Sequence, residues 1–343
     1  MAPLIPGFQQ MGYSRFCSSN HMSEIKSNKF LELALREVPR LLAQLNRNLS
    51  SKSYGSFDRA YWHYRTNDIS CARYQEAVYT LALLYCSNFK GNIYFQDQRV
   101  LEWIRAGLRF TAKLQRSNGS FDEWYINEGS YVATAFLASA LGQTLFILKN
   151  NKVNFTEETL VRNILNKATD FLSRSNEDTV MNQVSGAIFV TALAGKDTTR
   201  ILKEFLKKQN KEGWWSEYSG PDIGYLTLTI SYLGKYRDFT GSKKVDEAIE
   251  RAKSFVKSFI DPDHTAGGEY MSRNTEYIIP SVDLPYLGAL LPEHLDDRYL
   301  SYILYNWIET GLKVAPQNIE ISSGQNYFKQ CALLRVINER YFL

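Results

Sequence analysis

Apolar residues recur along this chain with the period of an α-helix, and two kinds of helical segment alternate. In the first kind the apolar residues form one stripe, which is typical of a helix with one face in water. The second kind has no continuous polar face, which is typical of a helix buried on all sides. The alternation therefore predicts an outer layer of half-exposed helices around an inner layer of buried ones.

The alternation predicts six consecutive helical pairs, and in most of them the amphipathic member comes first. The predicted amphipathic segments are 30–45, 100–114, 158–172, 199–208, 245–260 and 297–312. The predicted apolar segments are 74–86, 131–148, 184–194, 223–236, 282–291 and 325–340. Residues 227–233 are rich in β-branched side chains and would suit a strand, but their place in the alternation favours a helix.

Six stacked pairs bury a continuous core when they close into a ring, so we predict an all-α (α/α)6 toroid. The 343 residues are long for one ordinary domain, but closed repeat architectures reach this size undivided. We therefore predict a single domain over residues 23–343. Residues 1–22 show no helical periodicity and are interpreted as a loosely ordered leader or an expression-derived segment.

Four of the loops between an outer and an inner segment share a glycine followed two positions later by an aromatic residue. They begin at Gly55, Gly119, Gly213 and Gly268. Glycine permits the left-handed turn that ends a helix, and the aromatic side chain would then pack between neighbouring pairs. Gln115 and Gln209 precede two of these loops, where an amide can bond free backbone groups.

Two segments, 115–121 and 209–215, read Gln-x-x-x-Gly-x-(Phe/Trp) and resemble the QW motif of terpenoid-cyclase and prenyltransferase toroids. Segments 57–64, 119–123 and 273–277 resemble those of heparinase-II/III-type toroid proteins, which process polysaccharides. The resemblance implies the toroid fold and a carbohydrate-active function. The chain departs from the cyclases because it has no Asp-x-Asp-Asp motif, and Asp296-Asp297 lacks the further acid of a metal-binding motif.

The charge composition indicates which kinds of ligand the protein is predicted to bind. With 40 basic and 36 acidic residues the net charge is +4, and no Lys/Arg run is present, so nucleic-acid binding is not predicted. A weakly basic chain is compatible with an anionic oligo- or polysaccharide. No run of eighteen apolar residues and no signal peptide is evident, so we predict a cytoplasmic protein without a membrane span. The sequence leaves the oligomeric state open.

Cysteine and histidine positions predict neither a metal nor another cofactor. The cysteines lack CxxC spacing and are interpreted as reduced thiols, and the histidines lack the spacing of metal ligands. The cysteines are Cys17, Cys71, Cys86 and Cys331, and the histidines are His21, His63, His264 and His294.

The loop 267–280 is the richest in reactive side chains. It contains the predicted catalytic residues Tyr270, Arg273, Asn274, Glu276 and Tyr277. A uronate lyase needs a cation or amide to neutralise the sugar carboxylate, a base to remove the C5 proton, and an acid for the leaving oxygen. Arg273 and Asn274 suit the first role, and tyrosines here or His63 suit the others. Alternatively, Arg273 and Glu276 form a salt bridge that only shapes the loop.

Carboxylates in the equivalent loops offer a second chemistry. Two of them facing one another about 5–10 Å apart would suit glycoside hydrolysis. Alternatively, each caps the start of an inner helix by accepting backbone N–H groups. The predicted catalytic acids are Asp58, Asp122 and Glu123, with Glu217 and Asp222 predicted to bind substrate and Glu128 in the same set.

Aromatic and basic residues of the same loops are predicted to bind sugar. Aromatic faces stack on the C–H faces of sugar rings, and arginine binds carboxylates in a bidentate manner. Trp215 is expected instead to be a buried wedge. The predicted substrate-binding residues are Arg59, Trp62, His63, Trp124, Trp214 and Tyr225, with the three tryptophans expected to be exposed.

The sequence therefore predicts a protein that acts on an acidic, uronate-containing polysaccharide by β-elimination or hydrolysis. Two alternatives remain open at this point. One is a terpenoid-cyclase-like or prenyl-binding toroid, and the other is a glycan-binding protein without catalytic activity.

Overall fold

A computed structural model of the chain describes residues 24–288, 296–321 and 323–338. Most of these residues are helical. The helices are α1 (Lys29–Ala43), α2 (Ala77–Cys86), α3 (Gln98–Leu114), α4 (Tyr131–Asn150), α5 (Glu158–Arg174), α6 (Met181–Leu193), α7 (Thr199–Lys207), α8 (Ile223–Thr240), α9 (Asp246–Lys257) and α10 (Asp297–Lys313). Short π- and 3-10 helices span Ala60–Tyr64, Ala72–Glu76 and Lys243–Val245. The predicted leader, Cys17, His21 and His294 lie outside the described residues.

The inner helices α2, α4, α6 and α8 pack side by side in chain order, and α10 packs against α2. Side-chain contacts also join α8 to α10, among them Lys235 to Glu309 at 2.7 Å and Ser231 to Asn306 at 2.8 Å. These contacts close the inner helices into a ring. The segment 223–236, with its β-branched residues, is helical as its place in the alternation predicted.

The amphipathic helices form the outer layer. Helices α3, α5, α7 and α9 pack on α2, α4, α6 and α8 in turn, and α1 packs on α10. Their buried residues form one stripe, as in α5, where Val161, Ile164, Leu165 and Ala168 are buried and the opposite side faces water. The predicted layering of half-exposed over buried helices is therefore confirmed for these segments.

Of the four segments in the last two predicted pairs, only 245–260 is confirmed as predicted, as the outer helix α9. Residues 282–288, the described part of the predicted helix 282–291, are not helical. Pro285 lacks an N–H group and restricts the preceding residue, which disfavours a helix. Helix α10 was predicted to be an outer helix, but it is buried on all sides from Leu300 to Gly311 and belongs to the inner ring.

The predicted final helix 325–340 is instead a β-hairpin over its described part, with β1 (Gly324–Phe328) antiparallel to β2 (Leu333–Ile337). Phe328 packs against Phe255 and Phe259 beside α9, and Arg335 pairs with Asp261. These tertiary contacts override the local helical pattern. The described residues therefore support a mostly helical, ring-like fold but not the six pairs predicted.

Three of the predicted glycine turns are built alike. Gly55, Gly119 and Gly213 have φ of 92°, 95° and 102°, in the left-handed region. A Cβ on any of them would approach a carbonyl oxygen of the next outer helix to 2.1–2.3 Å. Only glycine therefore fits at these contacts. The predicted fourth turn differs, because Gly268 is packed against the carbonyl of Thr275 instead.

The two glutamines make the predicted backbone contacts. The amide nitrogen of Gln115 donates to the carbonyls of Gly119 and Ile164, both at 3.0 Å. That of Gln209 donates to the carbonyls of Gly213 and Ala248, both at 2.8 Å. Each glutamine thus ties its own loop to the next outer helix.

Of the cysteines that the structure describes, Cys71 and Cys86 are buried and Cys331 is half-buried. Helix α4 is long and apolar enough to cross a membrane by length and composition alone, but 83% of its most apolar window is buried inside the protein. It is therefore explained as a core helix of the ring.

Candidate functional site

The inner helices begin at one end of the ring, and the loops that lead into them converge there as predicted. We call this end the N-terminal mouth; it is formed by residues 56–76, 115–130, 209–222 and 268–280 and by the start of α10. Aligned helix N-termini carry partial positive charge. Asp222 and Asp296 cap α8 and α10 and offset part of this charge.

A buried ionic network lies under this mouth. Arg73 pairs with Glu76 and lies 4.0 Å from Glu123, and Arg298 lies 3.4 Å from Glu123. Burial raises the pKa of Glu76, against the opposing effect of Arg73. Burial alone would lower the pKa of Arg73, but Glu76 and Glu123 raise it well above its usual range. Arg73 is thus a buried residue that stays charged.

Aromatic rings surround the arginines of this network. The guanidinium of Arg298 lies 3.7 Å from the ring centre of Trp124 and 4.3 Å from that of Tyr299. Arg73 lies 4.8 Å from the ring of Phe136. Trp124 is 58% exposed, which confirms its predicted exposure, and Tyr125 and Ile126 continue this apolar loop tip.

Arg273 lies in the same mouth, among tyrosines. Its guanidinium is 4.4 Å from the ring centre of Tyr218 and 5.8 Å from that of Tyr225. Burial alone would lower the pKa of Arg273, but a hydrogen bond to Tyr225 raises it. Tyr218, Ser219 and Asn274 all have positive φ, between 54° and 79°. Such strained backbone is often found at functional sites.

Tyr277 completes this side of the mouth. Burial raises its pKa, and its hydroxyl interacts with that of Tyr302 on α10. Tyr225 and Tyr299 are close enough to Tyr277 to act on it electrostatically. The structure therefore brings together Arg273, Tyr225 and Tyr277 from the predicted set.

Other residues predicted in this loop do not join them. Tyr270 is 75% exposed, and the amide of Asn274 donates to the carbonyl of Glu269 at 2.7 Å. Glu276 is exposed and, within the described parts of the chain, forms no ion pair with Arg273. The loop salt bridge considered as an alternative is therefore not formed.

Most of the predicted acids accept backbone N–H groups. Asp58 is buried and accepts from Cys71 at 2.9 Å and Tyr61 at 3.2 Å. Asp122 accepts from Gly129 at 2.8 Å and pairs with Arg116, and Glu128 accepts from Glu123 at 2.9 Å. These acids brace loops, so the structure favours their capping role.

Asp222 and Glu217 are also held inside the fold. Asp222 caps α8 by accepting from Tyr225 at 3.0 Å and from the Thr275 hydroxyl. Glu217 accepts from the backbone and side-chain nitrogens of Asn182, both at 2.7 Å. Burial nevertheless raises the pKa of Glu217 to about 8. These contacts oppose a substrate-binding role for either acid.

The first loop lies around the short π-helix. The indole of Trp62 donates to the carbonyl of Gln44 at 2.7 Å, and Trp62 is half-buried, contrary to its predicted exposure. Arg59 lies 6.0 Å from the Trp62 ring, and His63 is exposed. Trp214 was likewise predicted to be exposed but is half-buried, because its indole donates to Glu212 at 3.0 Å.

Sequence reasoning missed Arg298, Tyr299 and Glu76. Residues 298 and 299 were overlooked because α10 was assigned to the outer ring, where charged and polar residues face water. One signal in the sequence could have identified residues 298 and 299 as part of the site. It is the arginine and tyrosines at the start of a largely apolar helix. In residues 24–288, 296–321 and 323–338, no group of three or more His, Cys, Asp or Glu side chains is arranged to hold a metal.

Comparisons with known proteins reveal distant structural similarity. No protein-family model matches the chain, and no curated protein does. A protein from Actinoplanes of known crystal structure aligns with a TM-score of 0.43 and 13% identity, over 83% of this chain and 79% of that one. The type II terpene cyclase MstE from Scytonema aligns with a TM-score of 0.39 and 14% identity, over 69% and 66%.

Proposed function

We propose that this chain acts on an acidic, uronate-containing polysaccharide by β-elimination at the N-terminal mouth. The observation that carries the proposal is the position of Arg273 beside Tyr225 in an accessible loop. Elimination from a uronate requires a cation at the carboxylate and a base near the C5 proton. Arg273 and Tyr225 provide these two groups side by side.

In the proposed step, Arg273 binds the sugar carboxylate and thereby makes the C5 proton more acidic. Tyr225 first loses its own phenol proton to solvent; its oxygen then takes the C5 proton, and the electrons of the C5–H bond form a C4–C5 double bond. The C4–O bond then breaks, and the leaving oxygen takes a proton from Tyr277. Burial raises the pKa of Tyr277, which keeps this phenol protonated at neutral pH, as an acid must be.

Elimination is favoured over hydrolysis because several of the predicted acids already make contacts within the protein. Hydrolysis needs two carboxylates that face the substrate. Asp58, Asp122 and Asp222 accept backbone N–H groups, and Glu123 lies between two arginines. Elimination through tyrosine needs none of these carboxylates to be free.

The alternatives have weaker support. A terpenoid-cyclase-like protein needs a strong acid at the top of its cavity, but buried acids at this mouth are already engaged. Glu76 is paired with Arg73, and Asp58 and Asp222 accept backbone N–H groups. A glycan-binding protein without activity would use Trp124 and Arg273 to hold the polymer. That function predicts binding without product, so the experiment below separates it from elimination.

The test is to incubate the full chain with a panel of uronate polymers, namely pectate, alginate, heparin, chondroitin sulfate and hyaluronate. Ultraviolet absorbance of the unsaturated product and the number of reducing ends are measured separately. We expect both to rise together for at least one polymer. Reducing ends without absorbance would contradict elimination, and no change on any polymer would contradict the proposed activity.

Matched tyrosine variants identify the site. Tyr225→Phe removes only the phenol oxygen and should abolish product formation. Tyr270→Phe makes the same chemical change at a strongly exposed position and should leave activity near that of the parent protein. Equal loss in both variants would contradict the role proposed for Tyr225.

A further inference from the structure

A cavity lies on the outside of the ring between the outer helices α5 and α7, which both pack on the inner helix α6. We call it the α5–α7 groove. Its volume is about 300 Å³, which reaches the range of small-molecule sites, roughly 300–1,000 Å³. The wall contains none of Arg273, Tyr225 and Tyr277, so the groove is distinct from the proposed catalytic site.

The groove lies where the glycine joint between neighbouring outer helices is missing. Gly55, Gly119 and Gly213 place the loops before α2, α4 and α8 against the main chain of α3, α5 and α9. The corresponding loop before α6, residues 175–180, contains no glycine. No joint of this kind therefore brings the main chain of α7 onto that loop, which leaves room for the groove.

The floor of the groove is apolar. Leu172 of α5, Met181 and Val184 of α6 and Phe205 of α7 are buried in the fold and line the cavity. Tyr131, the first residue of α4, is half-buried and adds aromatic surface. This floor favours a ligand with an apolar, ring-containing body, because aromatic and aliphatic side chains pack well against one.

Two ion pairs join the α5 side of the groove to the α7 side. Lys196 lies 2.6 Å from Asp170, and Lys208 pairs with Asp178. Each of these lysines is therefore balanced within the protein. Arg200 is the remaining base of the wall, and it forms no ion pair with any residue that the structure describes.

The acids of the wall outnumber its bases. Besides the two paired aspartates, the wall contains Glu177, Asp197 and Glu204, which form no ion pair within the described parts of the chain. Three unpaired acids thus stand against the single unpaired base, Arg200. A cationic ligand complements this charge, and an anionic one is repelled by it.

Glu177 is the acid best placed to hold the charge of a ligand. One of its oxygens accepts from the backbone N–H groups of Thr179 and Val180, both at 2.8 Å, and the other accepts no hydrogen bond from a described residue. Glu177 is half-buried. Burial and, after it, the charge of Glu177 raise the pKa of Tyr131, so these two side chains lie near one another. An ammonium group at Glu177 would therefore lie close to an aromatic ring, which also attracts cations.

We propose that the α5–α7 groove binds a small amphipathic organic cation, with a primary ammonium group joined to an apolar, ring-containing body. The body packs on Met181, Val184 and Phe205. The ammonium group donates to the available oxygen of Glu177, and a charge-assisted hydrogen bond of this kind is stronger than one between neutral groups.

The probe for the test is dansylcadaverine, in which a pentyl chain joins a primary ammonium group to an aromatic fluorophore that brightens in apolar surroundings. It is titrated into the full chain without glycan. We expect a saturable increase with one molecule bound per chain. Dansyl hexylamide, which carries a methyl group in place of the ammonium group, should bind at least tenfold more weakly. A non-saturating response to dansylcadaverine, or equal affinity for the two probes, would overturn the proposal.

A matched pair of variants tests the charge. Glu177→Gln keeps an oxygen for the N–H groups of Thr179 and Val180 but removes the charge, so it should weaken dansylcadaverine binding about tenfold. Glu32→Gln removes the same charge at an exposed position on α1, outside the groove, and should bind like the parent protein. Equal affinity of the two variants would overturn the proposal.

A second pair tests the location. Ser173 of α5 and Ser254 of α9 are both exposed, and the hydroxyl of each donates to a carbonyl of its own helix, at 2.9 and 3.0 Å. Only Ser173 lines the groove, so Ser173→Trp should fill it and weaken binding at least tenfold, whereas Ser254→Trp should not. Equal affinity of the two variants, with helix content checked by circular dichroism, would overturn the proposal. Tyr225→Phe should retain full probe binding, so failure of the proposed elimination and failure of this proposal are distinguishable.

Discussion

The indole of Trp215 stacks on the ring of Phe205 at 4.8 Å and donates its N–H to the Phe205 carbonyl at 2.9 Å. Trp215 thereby fills the junction between α7 and its neighbours and is 1% exposed. Trp215→Ala removes this packing and the hydrogen bond. We expect it to lower the free energy of unfolding by about 3–5 kcal/mol, measured by urea denaturation.

Its neighbour supplies the control for this prediction. Trp214 is half-buried and bonds to Glu212 near the surface, so Trp214→Ala should cost clearly less than Trp215→Ala. Equal losses would show that Trp215 is not the wedge of this junction.

The left-handed turn at Gly213 gives a second prediction. A Cβ there would lie 2.3 Å from the carbonyl oxygen of Arg251, so Gly213→Ala must displace α9 as well as strain the backbone. Gly241 also has positive φ, but nothing lies within 4 Å of a Cβ added there. Gly241→Ala should cost about 1–2 kcal/mol, the strain alone, and Gly213→Ala should cost more. Equal thermal denaturation shifts for the two variants would contradict this geometry.

Glu217 predicts a pH dependence of stability. Its pKa is raised by burial from an ordinary 4.5 to about 8, so between these values the folded chain holds a proton that the unfolded chain releases. Stability from this group is therefore complete below pH 4.5 and is lost as the pH rises through 8. Relative to Glu217→Gln, the parent protein should lose up to ~1.4 kcal/mol per pH unit in this interval. A constant difference between the two unfolding free energies would contradict the shift.

The proposed roles of Arg273 and Tyr225 predict different kinetic changes. Arg273→Lys keeps the charge but loses the bidentate geometry, so KM for a uronate polymer should rise and kcat should also fall. Tyr225→Phe should lower kcat by about 10²-fold or more with little change in KM, since proton transfer is lost while binding remains. Initial rates over a range of polymer concentrations would separate the two. A Tyr225→Phe variant with unchanged kcat would exclude this residue as the base.

Much of the helical layering could be predicted from sequence, because a buried stripe and an all-round apolar surface leave different periodic patterns. Helices α4 and α5 are examples of the two patterns. Helix α10 was assigned to the wrong layer because its arginine and tyrosines resemble the solvent-exposed face of an outer helix. In the structure these side chains contact partners across the ring. The hairpin was missed because it is held by distant contacts, such as Phe328 on Phe255, which no local pattern records.

The sequence predicted the location of the candidate site better than it predicted which residues form it. The loops meet at one mouth as expected, and Arg273, Tyr225 and Tyr277 come together there. The aspartates were harder to interpret, because a capping acid and a catalytic acid look alike in a sequence. Whether Asp222 accepts from Tyr225 or faces a ligand depends on backbone direction, which sequence alone does not give.

The contacts of Gly55, Gly119 and Gly213 with α3, α5 and α9 bring main chain against main chain. The spacing of these outer helices is thus fixed by peptide dimensions, which every sequence shares, and not by the sizes of side chains. A further helical pair that carried the same turn would dock at the same spacing.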